Sequence, residues 1–215
     1  MAVPRSVVVT AVVAALVTVG ALAGVASLRS RDQGPRLEAA APVAAPQSAV
    51  AECGDGLCRT LVTQAVNGAQ VALLADEQGG NGRFQVGGQL VQTSITELGA
   101  RVDGNSLSCV AASVSACLVS APLNGGRIGE VLVERDGDWN PVDKPYFAAA
   151  GVIALNNVTG TDAPEVTVVE SSPVLARVYA LDGTLTGCTK KYSSFSQIRG
   201  WPNVRLIASD LRTCS

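Results

Sequence analysis

Histidine is absent from the 215-residue chain, and methionine occurs once, at position 1. The first absence removes a Ser-His-Asp triad, a Cys-His pair and every His-ligated zinc or haem site. Aromatic residues make up only 4% of the chain and charged residues 16%, so a core has to be built from Val, Leu, Ile and Ala. Valine's branched Cβ packs well on a pleated surface, which leans the composition toward strands. No Gly-rich loop ending in Lys-Ser/Thr occurs, leaving nucleotide hydrolysis without support. A net charge of -2 disfavours nucleic acid as a partner.

An apolar run dominates the start. Between Ser6 and Leu28 there is no charged residue, and Val, Ala and Leu prevail. As a helix rising about 1.5 Å per residue, Val7–Leu28 reaches about 33 Å, enough to cross a hydrocarbon core of about 30 Å. The expected layout is a cytoplasmic tip at 1–6, a transmembrane anchor at 7–28, a linker at 29–51 and a folded extracytoplasmic domain at 52–215. This is a single-pass protein of the cell membrane with its C-terminal domain outside. Secretion after cleavage is the alternative, because Gly20 followed by Ala21-Leu22-Ala23 supplies a small-x-small site. The length of the run and the flanking Arg29 and Arg31 favour retention. The linker stretch Asp32–Val50 repeats Ala and Pro without an apolar period, and Pro42 and Pro46 oppose a helix there.

Arg5 and the N-terminal amine compete with Arg29, Arg31 and Arg36 for the cytoplasmic side, so basic residues alone do not orient the chain. The cysteines decide it. All six (Cys53, Cys58, Cys109, Cys117, Cys188 and Cys214) lie beyond the apolar run, as expected for disulfides in an oxidising compartment. Short local loops favour the sequential pairing Cys53–Cys58, Cys109–Cys117 and Cys188–Cys214. The last bridge would constrain the unfolded chain by about 3 kcal/mol. Neither a second metal knuckle nor a C-x-x-C redox pair is present.

The folded part reads as mainly β. TLVTQAV, QVALLAD, GRFQVGG and QTSITEL (positions 60–98) are strand-like, separated by Asn67-Gly68, Gly79-Gly80-Asn81-Gly82 and Gly87-Gly88, steps that supply the positive φ of tight hairpins. After the Asp103-Gly104-Asn105 turn, SLSCVAASVSACLVSAP suits either a strand pair closed by Cys109–Cys117 or a helical turn capped by Asn105. Glu130–Glu134 alternates, and Asp136-Gly137 turns toward Trp139. Glu165–Glu170 and Ala176–Leu181 are further strands, with Asp182-Gly183 turning into Thr184–Cys188. Toward the end, two short helices are expected, the first capped by Ser194 or Ser196 and ended at Arg199-Gly200, the second capped by Ser209. The fold class is therefore an antiparallel β sandwich or partial propeller-like sheets with one or two short C-terminal helices, plus the N-terminal transmembrane helix.

Charge is uneven along the domain. Residues 51–187 hold 7 Lys/Arg against 15 Asp/Glu, a net of -8, and residues 188–215 hold 5 against 1, a net of +4. A basic tail folded back on an acidic body accounts for this simply. A basic patch for an anionic wall polymer or lipid headgroup is the sharper reading.

Residues 154–169, ALNNVTGTDAPEVTVV, resemble the loop-strand unit of FG-GAP/VCBS repeats, in which a calcium loop precedes an apolar strand. Asn157, Thr159, Thr161 and Glu165 fall on that family's ligand positions, with Gly160 and Pro164 where such repeats carry Gly and Pro. Tyr179-Ala-Leu-Asp182-Gly183 looks like the next hairpin of a propeller blade. The resemblance covers one unit and implies an interaction scaffold. Calcium takes about six to eight oxygens, usually with several carboxylates, and the matched positions offer one carboxylate, Glu165. No other cofactor is indicated. The anchor, stalk and paired cysteines together resemble exported proteins of high-GC Gram-positive bacteria.

Two functions follow. A binding or structural module of the cell envelope would meet an envelope protein or wall polymer through a patch near Trp139, Tyr146 or Trp201. A wall-polysaccharide hydrolase would need two carboxylates about 5–9.5 Å apart, with Glu130/Glu134 or Asp136/Asp138 as candidates. Without histidine or a full metal loop, the sequence leans toward binding rather than catalysis.

Overall fold

A computed structural model describes residues 51–214. The tip, the apolar segment and all of the linker but its last residue lie outside those residues. Among the described residues no helix is long and apolar enough to cross a membrane.

Local turn chemistry sets the pairing of the strands. Strands β1 (Glu52–Cys53) and β2 (Gly56–Leu57) form a small ladder closed by the Cys53–Cys58 disulfide. Next comes a four-stranded antiparallel meander of β3 (Arg59–Val66), β4 (Ala69–Ala75), β5 (Arg83–Val86) and β6 (Gln89–Gln92). A second sheet follows, with β7 (Leu107–Val110), β8 (Ala116–Leu123), β9 (Gly126–Arg135) and β10 (Asp138–Pro141) in sequence order, while β11 (Tyr146–Ala148) pairs with β9 beside β10. The third is a meander of β12 (Ile153–Asn156), β13 (Glu165–Ser171), β14 (Val174–Tyr179) and β15 (Leu185–Cys188). Asn67-Gly68 and Asp136-Gly137 put both residues at positive φ. That conformation matches the right-handed twist of the paired strands. Asn124-Gly125 does the same between β8 and β9, a hairpin that the sequence reading did not single out.

The sheets stack through their side-chain alternation. In β8, Cys117, Val119 and Ala121 point into a core shared with Val71, Leu73 and Phe84 of the first sheet. Their neighbours Ala116 and Leu118 point the other way, into a core with Ile153, Leu155, Val166 and Val168 of the third sheet. Strand β9 divides likewise, with Ile128 and Leu132 on one side and Val131 and Val133 on the other. Both faces of the second sheet are therefore dry, which explains why the stretch around Cys117–Ala121 lacks a polar alternation. On the outer face of the third sheet, Val169, Ala176 and Val178 pack against Ile198, Val204 and Leu206 of the C-terminal segment. Each fully buried Val or Leu contributes about 1.5–3 kcal/mol. The result is a mainly-β, antiparallel stack of three sheets capped by the C-terminal segment.

Three local expectations need revision or choice. QTSITEL is not a strand: β6 ends at Gln92, and Ser94–Glu97 forms one helical turn, α1, with Ile95 fully buried. The stretch around Cys109 is the strand pair, with Cys109 directly opposite Cys117 in the ladder. The two C-terminal helices are single 3-10 turns, Phe195–Gln197 and Ala208–Asp210, and neither receives a serine side-chain cap. The Asp210 carboxylate accepts the Ile207 N–H instead, at 3.1 Å.

Candidate functional site

Three disulfides join Cys53 to Cys58, Cys109 to Cys117 and Cys188 to Cys214, and no cysteine is free. This is the sequential pairing, and it fits an extracytoplasmic or secreted protein.

The loop before β13 brings together Asn157, Thr159, Thr161 and Glu165. Glu165 is buried, and its carboxylate accepts the Val158 N–H at 2.8 Å, the Thr159 N–H at 3.3 Å and the Thr159 hydroxyl. Asn157 accepts the Gly160 N–H at 2.7 Å and donates to the Thr161 carbonyl at 2.9 Å. Thr161 donates its hydroxyl to the Ala163 carbonyl at 3.0 Å. The side chains thus close the loop upon themselves, and both Glu165 oxygens already hold protein donors. Among the described residues no group of three or more His, Cys, Asp or Glu side chains is placed to hold a metal ion.

The proposed carboxylate pairs do not assemble a cleft. Glu130 and Glu134 lie four residues apart on β9, about 13 Å at about 3.3 Å per residue. Glu130 is 3% exposed, and one of its oxygens accepts the Thr93 hydroxyl at 2.7 Å, the Ser94 N–H at 2.6 Å and the Ser94 hydroxyl at 2.9 Å. A carboxylate from the second sheet thereby caps α1. Glu134 accepts the Gly137 N–H of the hairpin turn at 3.0 Å. Asp136 sits in that turn and Asp138 directly after it, both exposed.

The three aromatic candidates separate. Trp139 is 4% exposed and belongs to the core between the first two sheets. Trp201 is half-buried and stacks on Phe195, with centroids 4.9 Å apart and planes at 16°. Tyr146, also half-buried, lines an open groove of about 810 Å³ between the β10–β11 edge of the second sheet and β13–β14 of the third. Its ring meets Tyr179 at 5.4 Å in a tilted pair, and Phe147, 47% exposed, stands beside it. Around the aromatics lie Asp143, Glu170 and Asp182, with Arg135 and Lys144. The Tyr146 hydroxyl is buried and has no hydrogen-bond partner. Burial pushes its pKa up, reinforced by Tyr179 and Asp182. Asp182 is held below the ordinary carboxylate range by hydrogen bonds from Thr184, whose N–H lies 2.9 Å away. An aromatic floor under a rim of carboxylates and cations suits a ligand with an apolar face and polar edges.

Sequence reasoning reached Tyr146 through its aromatic character but missed Phe147, Tyr179, Glu170 and Asp182 as its companions. The one available signal was the Tyr179–Asp182-Gly183 hairpin. Compared with known proteins, the chain matches no family model, no curated sequence and no solved structure.

Proposed function

We propose that the chain is a binding module of the cell envelope, held to the membrane by residues 7–28 and exposing its β domain on the outside. The observation that carries this reading is the groove around Tyr146, which gathers aromatic and charged side chains from two sheets in a domain fastened by three disulfides. The half-buried Tyr146 ring and the exposed Phe147 ring give that groove apolar surface, and the surrounding carboxylates and cations give it polar edges. Successive antiparallel sheets of four, five and four strands, each built from consecutive strands and packed face to face, are compatible with the propeller-like form of the reading, and with it the interaction-scaffold role implied by the FG-GAP/VCBS resemblance.

A photo-crosslinking side chain at position 147 of the full chain, expressed in an actinobacterial host, tests this. The expected product is an adduct with an envelope component that is lost when Tyr146→Ala is added. Non-reducing mass mapping of the same material should return the three cystine peptides from the membrane fraction. Free thiols throughout, or an adduct indifferent to Tyr146→Ala, would overturn the reading. Recovery from the medium, with the chain beginning after Ala23, would replace the anchor by secretion.

A further inference from the structure

The C-terminal cap differs in charge from everything beneath it. Residues 188–215 carry a net of +4 on a body whose residues 51–187 carry -8. The one acid of the cap is already committed, since Asp210 takes the Arg199 guanidinium at 2.8 Å and 3.3 Å as well as the Ile207 N–H. Lys190, Lys191, Arg205 and Arg212 are exposed and form no ion pair among the described residues. A charged tail folded back for its own neutralisation would show such pairs, and here the cations face solvent.

The backbone that carries those charges is tied down. Cys188–Cys214 closes it, Arg212 and Cys188 exchange backbone hydrogen bonds at 2.8 Å and 3.0 Å, and the Arg205 N–H reaches the Arg199 carbonyl at 3.1 Å. The same segment carries the Phe195–Trp201 stack, both rings half-buried. Lys190 lies over the Tyr192 ring at 5.3 Å from its centroid. A net positive cap on a net negative body favours the approach of a polyanion from the cap side.

We propose that this cap is a binding surface for a phosphate-bearing polymer, with Lys190, Lys191, Arg205 and Arg212 contacting successive phosphodiesters. It is a site separate from the Tyr146 groove, and it stands or falls independently of the crosslinking result there.

The test uses the full chain in phosphatidylcholine nanodiscs and fluorescently labelled poly(glycerol phosphate). Anisotropy should rise on binding, and Trp201 emission should change while buried Trp139 stays silent, a signal removed by Trp201→Phe. Raising salt from about 50 to 200 mM should weaken binding at least about tenfold, as counterion release from several contacts requires. Replacing Lys190, Lys191, Arg205 and Arg212 together by Gln should weaken it by a comparable factor with an unchanged melting temperature. The control pair Arg59→Gln and Arg101→Gln, exposed cations outside both the cap and the groove, should leave it intact, and the double variant Lys190→Gln/Lys191→Gln should give a partial loss should the fourfold variant fold poorly. No anisotropy change at low salt, or equal loss in the control pair, would overturn the proposal. Preferential displacement by phosphatidylglycerol vesicles of equal phosphate content would also overturn it, assigning the surface to lipid headgroups.

Discussion

Glu130 and Glu165 are both buried carboxylates that gather backbone and hydroxyl donors, yet they do so over very different chain distances. Glu165 holds Val158 and Thr159, seven and six residues before it, and so closes its own loop. Glu130 reaches across two sheets to Thr93 and Ser94, more than thirty residues earlier, and fixes the start of a helical turn. The first arrangement is local and survives as long as one loop and one strand persist. The second exists only when the first and second sheets are docked. A buried acid can therefore serve as a clasp within an element or as a lock between elements, and the two should fail differently.

Removing the lock should have the larger effect. Glu130→Ala leaves the Thr93 hydroxyl and the Ser94 N–H buried without an acceptor, a loss on the order of 3 kcal/mol. Urea unfolding with the disulfides intact should show it as a lowered midpoint with an unchanged slope. Glu165→Ala should cost less, about 2 kcal/mol, because its loop lies nearer solvent and water can reach some of the freed donors. Hydrogen exchange should then accelerate at Val158 and Thr159 while the Ser94 amide stays protected. The reverse order of the two losses would dissolve the distinction between clasp and lock. Calcium sharpens it further: added at about 5 mM, it should leave the melting temperature unchanged, because Glu165 would have to release three donors before it could coordinate. A rise that Glu165→Gln abolishes would restore the metal reading of this loop.

A half-buried counterpart should give the smallest effect. Burial raises the Asp76 pKa, but hydrogen bonds from Gly80, Asn81 and Gln78 outweigh it and hold the carboxyl below its ordinary value. A depressed folded pKa stabilises the fold above the unfolded value of about 3.9 and loses that contribution as pH falls through the folded value. Asp76→Asn should therefore lower stability slightly at pH 7 and flatten its decline below about pH 4, measured as urea midpoints across that range.

The same contrast explains what could be read in the sequence. Asn67-Gly68 and Asp136-Gly137 were legible because a tight hairpin needs positive φ and these dipeptides supply it locally. Sequential cysteine pairing was legible because each loop is short. That a loop precedes the strand beginning at Glu165 was legible for the same reason. QTSITEL misled because its β-branched residues resemble a strand, while the carboxylate that nucleates its helical turn lies on β9. Burial of the second sheet on both faces was invisible, since period-2 alternation disappears when each face meets an apolar partner. The groove of Tyr146 was half legible, because its walls come from strands that only the stacking brings together.

The order of that stacking has a consequence for how the domain is made. Each sheet is assembled from consecutive strands, each disulfide closes within one layer or its flanking segment, and the layers follow one another in chain order. A chain emerging from its N-terminal side therefore delivers every new sheet to a neighbour that is already in place. Short-range pairing of this kind favours rapid folding, and the exposed apolar face waiting for its partner is at any moment a single sheet wide. The cap arrives last, and with it the final cystine closes over the outer face of the third sheet.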